Sequence, residues 1–386
     1  MKKFADWVIR LRIPILVGVV VFTAFSGYSL RNLKINSDIL SYLPQDDPNV
    51  VLFNKVGEKF GGNSLAMVAL EGEEVFSFEA LTKIRMLTSA FEEVEGVTNV
   101  MSLTNILDIK KTEDGLEVGK LIDKRRIPQD KNELERLRAY TLSKDMYVGS
   151  LISEDGRMTT ILCRVREDVN KDEVGRKIRD ITEKERGNLK AYYAGVPLWM
   201  AFINDIISSD LVRLVPLVTL LVMLTLYVSF RTFRGVALPL ATVMMSAFWT
   251  VGLMPLFGVD FSLVSNGIPV LLIAIGSAYG IHMINKYNED VRSGDSRLEG
   301  IRDALSEVGL PIVLAGVTTL IGFLSFLTSN LSLIREFGLF TALAVLFALI
   351  ISVTFLPAAL SFLKVKPPKV NHEGVEDTAI TRFMNR

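Results

Sequence analysis

The sequence is poor in cysteine, carries no net charge and lacks the common motifs of nucleotide-binding and hydrolytic enzymes. Cys163 is the only cysteine among 386 residues, so no disulfide bond can form within the chain. The 43 basic and 43 acidic residues cancel, and there is no basic face with aromatic residues, so nucleic acid is not an expected partner. No GxxxxGKS, GxxxxGKT, HExxH or GxSxG pattern occurs, which argues against an ATP-driven pump or a membrane hydrolase. We therefore expect neither enzyme activity nor a cofactor.

Charged residues are also scarce in the second half of the chain. They crowd between Arg31 and Asp210 and nearly vanish for long stretches afterwards, while 49% of all residues are hydrophobic. A soluble domain rarely averages so apolar a composition. The distribution predicts a soluble domain of residues 31–210 inserted into a membrane protein.

Six apolar runs are long enough to cross a bilayer. The first, Ile13 to Leu30, follows a basic N-terminus, and Trp7 and Tyr28 are placed like interfacial anchors. A cleaved signal peptide is the alternative, and the absence of a small-x-small cleavage site together with the long basic region argues against it. Residues 1–30 are therefore predicted to be a cytoplasmic N-terminus and span one. Spans two to six, within residues 211–363, are predicted at about 211–230, 236–257, 262–285, 311–328 and 337–363.

Positive charge is sorted to one side of the predicted spans. The other side holds residues 31–210 and two loops with little but Asp260 and Arg335. By the positive-inside rule, both termini are cytoplasmic and the large domain is extracytoplasmic, in the inner (plasma) membrane. Between spans four and five, residues 297–307 are predicted to form a short amphipathic helix along the inner surface. The sorted basic residues are Lys2, Lys3, Arg10, Arg12, Arg231, Arg234, Lys286, Arg292, Arg297, Arg302, Lys364, Lys366 and Lys369.

The inserted domain alternates strands with helices. A βαβ-type order with an added hairpin predicts an α+β sandwich of ferredoxin-like kind. Residues 104–129 show no clear period and are predicted to be a long excursion or flap. The predicted strands are 64–70, 97–103, a hairpin at 147–166 and 190–194; the predicted helices are 77–94, 132–143 and 171–185, followed by a helix that begins after Pro197 and continues into span two without a break.

Span four is unusually polar for a membrane helix. From Leu263 to Ile284 it has no Asp, Glu, Lys or Arg, yet it contains side chains that are costly at membrane depth unless they face protein or a water-filled path. The same side chains can instead join helices through hydrogen bonds, and His282 can be a structural histidine. The candidates for an ion path or relay are Asn266, Ser277, Tyr279 and His282 of span four, and Thr318 and Thr319 of span five.

Gly and Ser residues are frequent in spans four and five. This composition predicts that these spans pack against each other and against span six.

Asp46 and Asp47 follow span one without any His or Cys nearby. They therefore indicate a turn, and no metal site is predicted.

One span, a large external domain and five further spans resemble one half of a transporter of the resistance-nodulation-division superfamily. The closest likeness is to its hydrophobe-exporter branch, with the mycobacterial large membrane proteins, and to the related Patched and Niemann-Pick type C sterol-handling proteins. The resemblance covers essentially the whole chain and implies a porter-type inserted domain. It is carried by YLPQDDPNV after span one, FGG at 60–62, AGVP at 194–197, AIGSAYGIHMINKYNE in span four, GVTTLIGFLSF in span five, and REFGLF and VTFLPA in span six.

The chain departs from that family in two respects. Such transporters commonly contain two repeats, and this sequence supplies one. We expect either an N-terminal half, with residues 364–386 as a cytoplasmic tail or a linker to a second repeat, or a half-size protein that forms a homodimer or larger oligomer. The family's proton relay is usually an Asp before Tyr-Gly or Phe-Gly in span four, and Ala278 occupies that position before Tyr279.

The resemblance implies secondary-active export of lipid or another hydrophobic molecule, driven by a proton or sodium gradient. A membrane lipid or a hydrophobic small molecule is the expected partner. The missing acid leaves two coupling alternatives, protonation of His282 or a sodium ion held by neutral oxygens. It also favours a rival role, a lipid-sensing or scaffold subunit that transports nothing.

Overall fold

The computed structural model describes residues 1–112, 115–123 and 126–363. They divide into two compact units. One unit contains Ile35–Leu211 and Asn330–Ser332, and the other contains Met1–Lys34, Val212–Ser329 and the described residues from Leu333 onward. Each unit has its own hydrophobic core.

Helices dominate the described part of the chain. Among the described residues, six helical segments are long and apolar enough to cross a membrane, as predicted: Arg12–Asn32, Val196–Phe230, Phe233–Phe257, Gly267–Arg292, Arg297–Thr328 and Ser332–Phe362. The α-helices are α1 (Lys2–Arg10), α2 (Arg12–Ser29), α3 (Pro48–Phe60), α4 (Phe78–Glu92), α5 (Lys131–Leu142), α6 (Lys171–Glu185), α7 (Val196–Phe230), α8 (Phe233–Leu253), α9 (Gly267–Arg292), α10 (Arg297–Leu324), α11 (Ser332–Val353) and α12 (Phe355–Phe362).

The fifth span differs from its prediction. Residues 297–307 do not form a separate surface helix, because they are the first turns of the continuous helix α10. Ser296 caps this helix in a capping box with Glu299, which fixes its start. The helix continues through Pro311, whose neighbours Gly309 and Ile312 are buried. Packing against other helices lets a membrane helix tolerate an internal proline.

The sixth span is interrupted where the sequence suggested one continuous helix. Helix α11 ends at Val353, Thr354 adopts φ −117° and ψ −62°, and α12 begins at Phe355. Pro357 has no N–H to donate to the carbonyl of Val353, four residues earlier, so the hydrogen-bond ladder breaks at this point.

Spans four, five and six pack closely, as predicted. Gly276 of α9 lies between α8 and α11, and a Cβ atom on the glycine would lie 3.4 Å from Ala348 Cβ of α11. Gly316 of α10 faces Leu349 of α11 in the same way, at 3.0 Å from its Cδ2. The shared core of these helices includes Tyr279 and Ile312. Small residues thus bring the helix backbones together where larger side chains would separate them.

The first span is joined to the third. The Trp249 indole nitrogen on α8 donates a hydrogen bond of 2.9 Å to the Thr23 hydroxyl on α2, and the Trp249 ring meets Phe22 edge-on at 4.6 Å. Gly252 of α8 lies against Ser26 of α2, with no room for a Cβ atom. A polar tether and close small-residue packing therefore hold α2 against α8.

The other unit is built on a four-stranded antiparallel sheet with the order β3-β6-β2-β7. Helix α4 connects β2 to β3, and α6 connects β6 to β7, which gives a βαββαβ chain order around this sheet. The strands of the chain are β1 (Ile35–Asn36), β2 (Ser64–Glu71), β3 (Val97–Met101), β4 (Leu107–Thr112), β5 (Gly115–Lys120), β6 (Met158–Val165), β7 (Lys190–Ala194) and β8 (Phe261–Ser262).

The alternation of buried and exposed residues explains strand β2, and a capping residue explains where helix α4 begins. Ala66, Val68 and Leu70 of β2 are fully buried, and they alternate with more exposed residues. This period of two places one face of the strand in the core. Ser77 begins α4 by accepting a hydrogen bond from the Ala80 N–H, and α4 buries Ile84 and other apolar residues.

The structure adds detail to this unit and corrects one prediction. Residues 104–129, predicted as a long excursion or flap, contain an antiparallel hairpin of β4 and β5 with Ile109 opposite Val118. The predicted hairpin at 147–166 has only its second arm as a strand, β6, with a single antiparallel bridge from Ile152 to Thr159. Asp47 caps the unpredicted helix α3 by accepting a hydrogen bond from the Asn49 N–H.

Candidate ion path in the fourth span

The start of α9 is a buried polar turn. Asn266 is the N-cap residue of the helix and is 8% exposed. Its backbone N–H donates to the Ser262 carbonyl at 3.1 Å. The hydroxyl groups of Ser262 and Ser265 are 2.8 Å apart and both residues are buried. Neutral oxygens therefore cluster at this end of the span.

The middle of α9 buries two hydroxyl groups. Ser277 is 8% exposed and donates to the Ala274 carbonyl at 3.1 Å. Tyr279 is 5% exposed, and its hydroxyl group has no hydrogen-bond partner among the described residues. Thr319 of α10 lies beside this hydroxyl, but its own Oγ1 donates to the Ala315 carbonyl at 2.8 Å. The Thr319 oxygen can still accept while it donates to Ala315, so the Tyr279 hydroxyl lies inside the bundle beside a second hydroxyl group that can pair with it.

The other side of α9 is open in this chain. His282 and Asn285 are exposed, and Ala278 is half-buried between these two faces. His282 therefore does not join Ser277 and Tyr279 in one buried site. Thr318 is also exposed, and it donates to the Ala315 carbonyl of its own helix at 2.9 Å.

The candidates occupy different depths. Asn266 precedes Ser277 by eleven residues, which corresponds to about 16 Å along the helix axis. A sodium ion held at ordinary ligand distances cannot contact both side chains. These residues can mark two levels of a path, and they do not form one ion site.

Three further buried hydroxyl groups were not predicted from the sequence. Thr341 and Ser352 of α11 and Tyr287 of α9 are each at most 2% exposed, and their hydroxyl groups have no partner among the described residues. Thr341 and Ser352 were overlooked because span six is strongly apolar and isolated hydroxyls are ordinary in membrane helices. The signal for Tyr287 was its spacing of eight residues from Tyr279, which places both on one helix face.

A charge cluster lies at the end of α9. The Lys286 ammonium is 2.8 Å from Glu307 of α10 and 3.1 Å from Asp290, and Asp290 is 8% exposed. The pairing of Lys286 with Asp290 has the i,i+4 spacing that stabilises helices. This cluster ties the ends of spans four and five together.

Among the described residues, no group of three or more His, Cys, Asp or Glu side chains is close enough to hold a metal ion. Buried hydroxyl groups can pass a proton or offer oxygen to a hard cation such as sodium. Six long apolar helices with a few buried hydroxyl groups on spans four and six define a multi-pass membrane protein.

Comparison with known proteins identifies the class more closely. The sequence profile of the MMPL family matches residues 41–375, and the chain belongs to this family. The expected kinship with the hydrophobe exporters of the resistance-nodulation-division superfamily is thereby confirmed.

The proteins that are similar to this chain differ in how much of their own length the similarity covers. "Putative membrane protein MJ1562" of Methanocaldococcus jannaschii is 26% identical over 373 residues, which cover 93% of this chain and 92% of that protein. "Sulfolipid-1 exporter MmpL8" of Mycobacterium tuberculosis is 23% identical over 188 residues, 47% of this chain and 17% of that protein. "Membrane protein YdfJ" of Bacillus subtilis is 26% identical over 172 residues, 43% of this chain and 24% of that protein. The chain therefore aligns with most of one relative and with less than a quarter of the other two.

Proposed function

We propose that this chain takes part in secondary-active movement of a lipid or another hydrophobic molecule across or out of the inner membrane. The observation that carries the proposal is the buried Tyr279 hydroxyl beside Thr319 in the packed core of a six-span MMPL bundle. A polar group at membrane depth is costly unless it faces protein or a water-filled path, so its position there points to a function. The sulfolipid exporter among the relatives supports a lipid as the class of substrate.

The proposed topology has both termini in the cytoplasm and residues 31–210 outside as a porter-type domain. Three residue groups, the N-terminal lysines, Arg231 with Arg234, and the arginines of residues 292–302, support this orientation through the positive-inside rule. The βαββαβ order and the β3-β6-β2-β7 sheet support a ferredoxin-like domain.

The open face of α9 supports a further partner within the membrane. His282, Asn285 and Thr318 are exposed in this chain although they belong to membrane spans. Lipid tails offer no hydrogen-bond partner to a side-chain amide or an imidazole. A second repeat in the same chain or a second copy of this chain would cover them, and would bring polar groups from both halves into one site.

Coupling is proposed to run through the polar side chains of α9. Because Ala278 replaces the acid expected in this family, the ion is either a proton, with His282 as the titrating group, or sodium, bound by neutral oxygens near Ser277. Tyr279 and Thr319 would complete the path in either case. The two alternatives differ in their dependence on pH and on sodium.

Reconstitution in vesicles tests the proposal. The full chain is placed in liposomes with a fluorescent phospholipid, and lipid movement is followed under an imposed pH gradient or an imposed sodium gradient. Gradient-dependent movement is expected, and Tyr279→Phe should reduce it at least tenfold. Tyr28→Phe is the matched control, because Tyr28 is 68% exposed, and it should behave like the unsubstituted protein. Equal lipid movement with and without every gradient would contradict the proposal.

His282→Gln separates the two coupling ions. Glutamine keeps a polar group for a hydrogen bond but cannot titrate near neutral pH. Proton coupling predicts that the variant loses the dependence on pH, whereas sodium coupling predicts that it keeps an unchanged dependence on sodium. If the folded protein binds lipid but never moves it, the non-transporting lipid-sensing or scaffold role replaces the proposal.

A further inference from the structure

Helix α3 presents apolar side chains to the outside of the unit built on the four-stranded sheet. Four of them, called the α3 stripe here, lie within about 100° of each other around the helix axis. They are Leu52, Phe53, Val56 and Phe60, which are 60%, 44%, 40% and 67% exposed. An amphipathic helix of a soluble unit ordinarily turns such a stripe towards the core, so the orientation of α3 is inverted.

The helix contacts its own unit through a side that carries no large side chain. Gly57 is the only buried residue of α3, all of which the structure describes, and a Cβ atom on it would lie 2.6 Å from Asn63 Nδ2. Backbone carbonyl groups complete the attachment. The Arg164 guanidinium donates to the Phe60 carbonyl at 2.9 Å, and the Asn63 side chain donates to the Phe53 carbonyl. These contacts hold α3 with its stripe facing outwards.

Basic side chains border the α3 stripe. Lys55 and Lys59 are exposed, and they lie about 60° and 20° around the helix from Leu52, at one edge of the stripe. A lysine can keep its ammonium group at a polar boundary while the apolar residues beside it are buried. A stripe of Phe, Leu and Val residues with lysines at its edge is typical of helices that lie in a membrane interface.

The chain keeps α3 within reach of the membrane spans. Span one ends at Asn32, and α3 begins at Pro48. Between them, the Tyr42 carbonyl accepts a hydrogen bond of 3.0 Å from the hydroxyl group of Ser332, the first residue of span six. Since six residues reach at most about 21 Å, the start of α3 lies within roughly 25 Å of the first residue of span six.

The size of the α3 stripe favours a lipid surface over a second copy of this chain. Its four side chains expose an area on the order of 400 Å², about half of the ~800 Å² that each partner commonly buries in a stable interface. An exposed apolar patch of a few hundred Å² still marks an interaction site. A membrane surface can cover such a patch without any further matching surface.

We propose that α3 lies in the membrane–water interface, with the α3 stripe among the upper parts of the acyl chains and Lys55 and Lys59 against lipid phosphates. This inference goes beyond the proposed transport function, because it concerns a lipid surface and not the polar side chains of α9. It gives the unit built on the four-stranded sheet an attachment to the membrane in addition to the spans.

Spin labelling of the full chain tests the proposal. Cys163 is buried, so a nitroxide can be attached to Val56→Cys alone, in liposomes of equal amounts of palmitoyl-oleoyl phosphatidylglycerol and phosphatidylcholine. Power saturation then compares the access of oxygen, which concentrates in lipid, with that of a water-soluble nickel chelate. Glu58→Cys is the matched control, because Glu58 is exposed on the side of α3 away from the stripe. The oxygen-to-nickel ratio at position 56 should exceed that at position 58 at least about threefold.

Leu52→Cys gives a second reading on the stripe, and the melting temperature of each labelled variant shows that it is folded. The ratio at position 52 should be raised as it is at position 56. Nickel access as high at positions 52 and 56 as at position 58 would show that the stripe faces water, and would overturn the proposal. Low access of both reagents at positions 52 and 56 would show that protein covers the stripe, as in a dimer, and would overturn it too. Neither reading depends on lipid movement, so a failure of the proposed transport function is distinguishable from a failure of this inference.

Discussion

Gly280 of span four lies directly against Pro239 of span three, so closely that a methyl group on the glycine would be 2.8 Å from Pro239 Cβ and 3.0 Å from its Cα. Real Cβ contacts are essentially never as short as 2.8 Å, and the proline ring is part of a helix backbone that cannot swing aside. The glycine next to Tyr279 therefore sets the distance between α8 and α9 at the level of the candidate path.

Gly280→Ala should destabilise the bundle by about 1–3 kcal/mol, the usual cost of overpacking a close contact. The measurement is thermal unfolding of the purified protein in detergent. Gly322→Ala is the control, because no atom lies within 4 Å of its added Cβ, and it should be neutral or stabilise by up to about 1 kcal/mol. Equal melting temperatures for both variants would show that α8 and α9 are farther apart than described.

A partly buried ion pair in the unit built on the four-stranded sheet should govern the stability of that unit in acid. Glu167 Oε2 is 2.5 Å from the Lys171 ammonium, and Glu167 Oε1 accepts a hydrogen bond of 2.8 Å from the Asn63 N–H. Burial alone would raise the pKa of Glu167, but these hydrogen bonds and the charge of Lys171 outweigh it and hold the pKa below its ordinary value of 4.5. The lowered pKa stabilises the fold above about pH 4.5, and this contribution is lost as the pH falls through the pKa of the folded state.

Glu167→Gln should therefore lower the free energy of unfolding by roughly 2 kcal/mol at neutral pH, between the values for exposed and buried pairs. The difference from the unsubstituted protein should shrink as the pH falls below 4.5. Unfolding by denaturant at several pH values measures it. Glu173→Gln, which breaks an exposed pair with Lys177 on the same helix, should change stability by less than about 1 kcal/mol at every pH. A constant Glu167→Gln effect from neutral to strongly acidic pH would refute the role of this carboxylate.

The single cysteine should be unreactive in the folded protein. Cys163 is completely buried in β6, and burial raises the pKa of its thiol to about 12. The thiolate is the reactive form, so both access and ionisation oppose modification. A maleimide should label the protein only after denaturant is added. Rapid stoichiometric labelling of the native protein would contradict the packing of this sheet.

Because Cys163 should not react in the folded protein, the membrane topology can be measured with introduced cysteines while Cys163 is left in place. Glu154→Cys, in an exposed turn of the unit built on the four-stranded sheet, should react with an impermeant maleimide from the outside of the inner membrane. Ser293→Cys, exposed at the end of α9, should react only after the membrane is made permeable. The reverse pattern would place the termini outside and refute the proposed orientation.

Helices and strands could be predicted from the sequence where the hydrophobic residues have a clear helical or strand period and where glycine residues mark the ends of the element. The charged helix at residues 171–185 and the strand at 190–194 agree with α6 and β7 residue for residue, because Gly187 and Gly195 punctuate the sequence and both adopt positive φ. The number of membrane helices followed from the length of the apolar runs.

Other features depend on contacts that no local pattern reveals. A proline such as Pro311 is read as a boundary, yet neighbouring helices hold α10 continuous through it. The hairpin of β4 and β5 was overlooked although its sequence contains Asp-Gly at 114–115, a known hairpin signal. Helical spacing placed Tyr279 and His282 on the same span, but only packing decides that one is buried and the other exposed.

The central claim is that an ion gradient drives lipid movement through this protein, and reversal of the gradient tests it most directly. Liposomes containing the full chain and a fluorescent phospholipid are given a pH gradient or a sodium gradient of either sign, and the steady-state share of label in each leaflet is measured by external quenching. The account predicts that the lipid accumulates in one leaflet and that the accumulation switches leaflet when the effective gradient is reversed. An even distribution between leaflets under every gradient, with the protein folded and inserted, would contradict it.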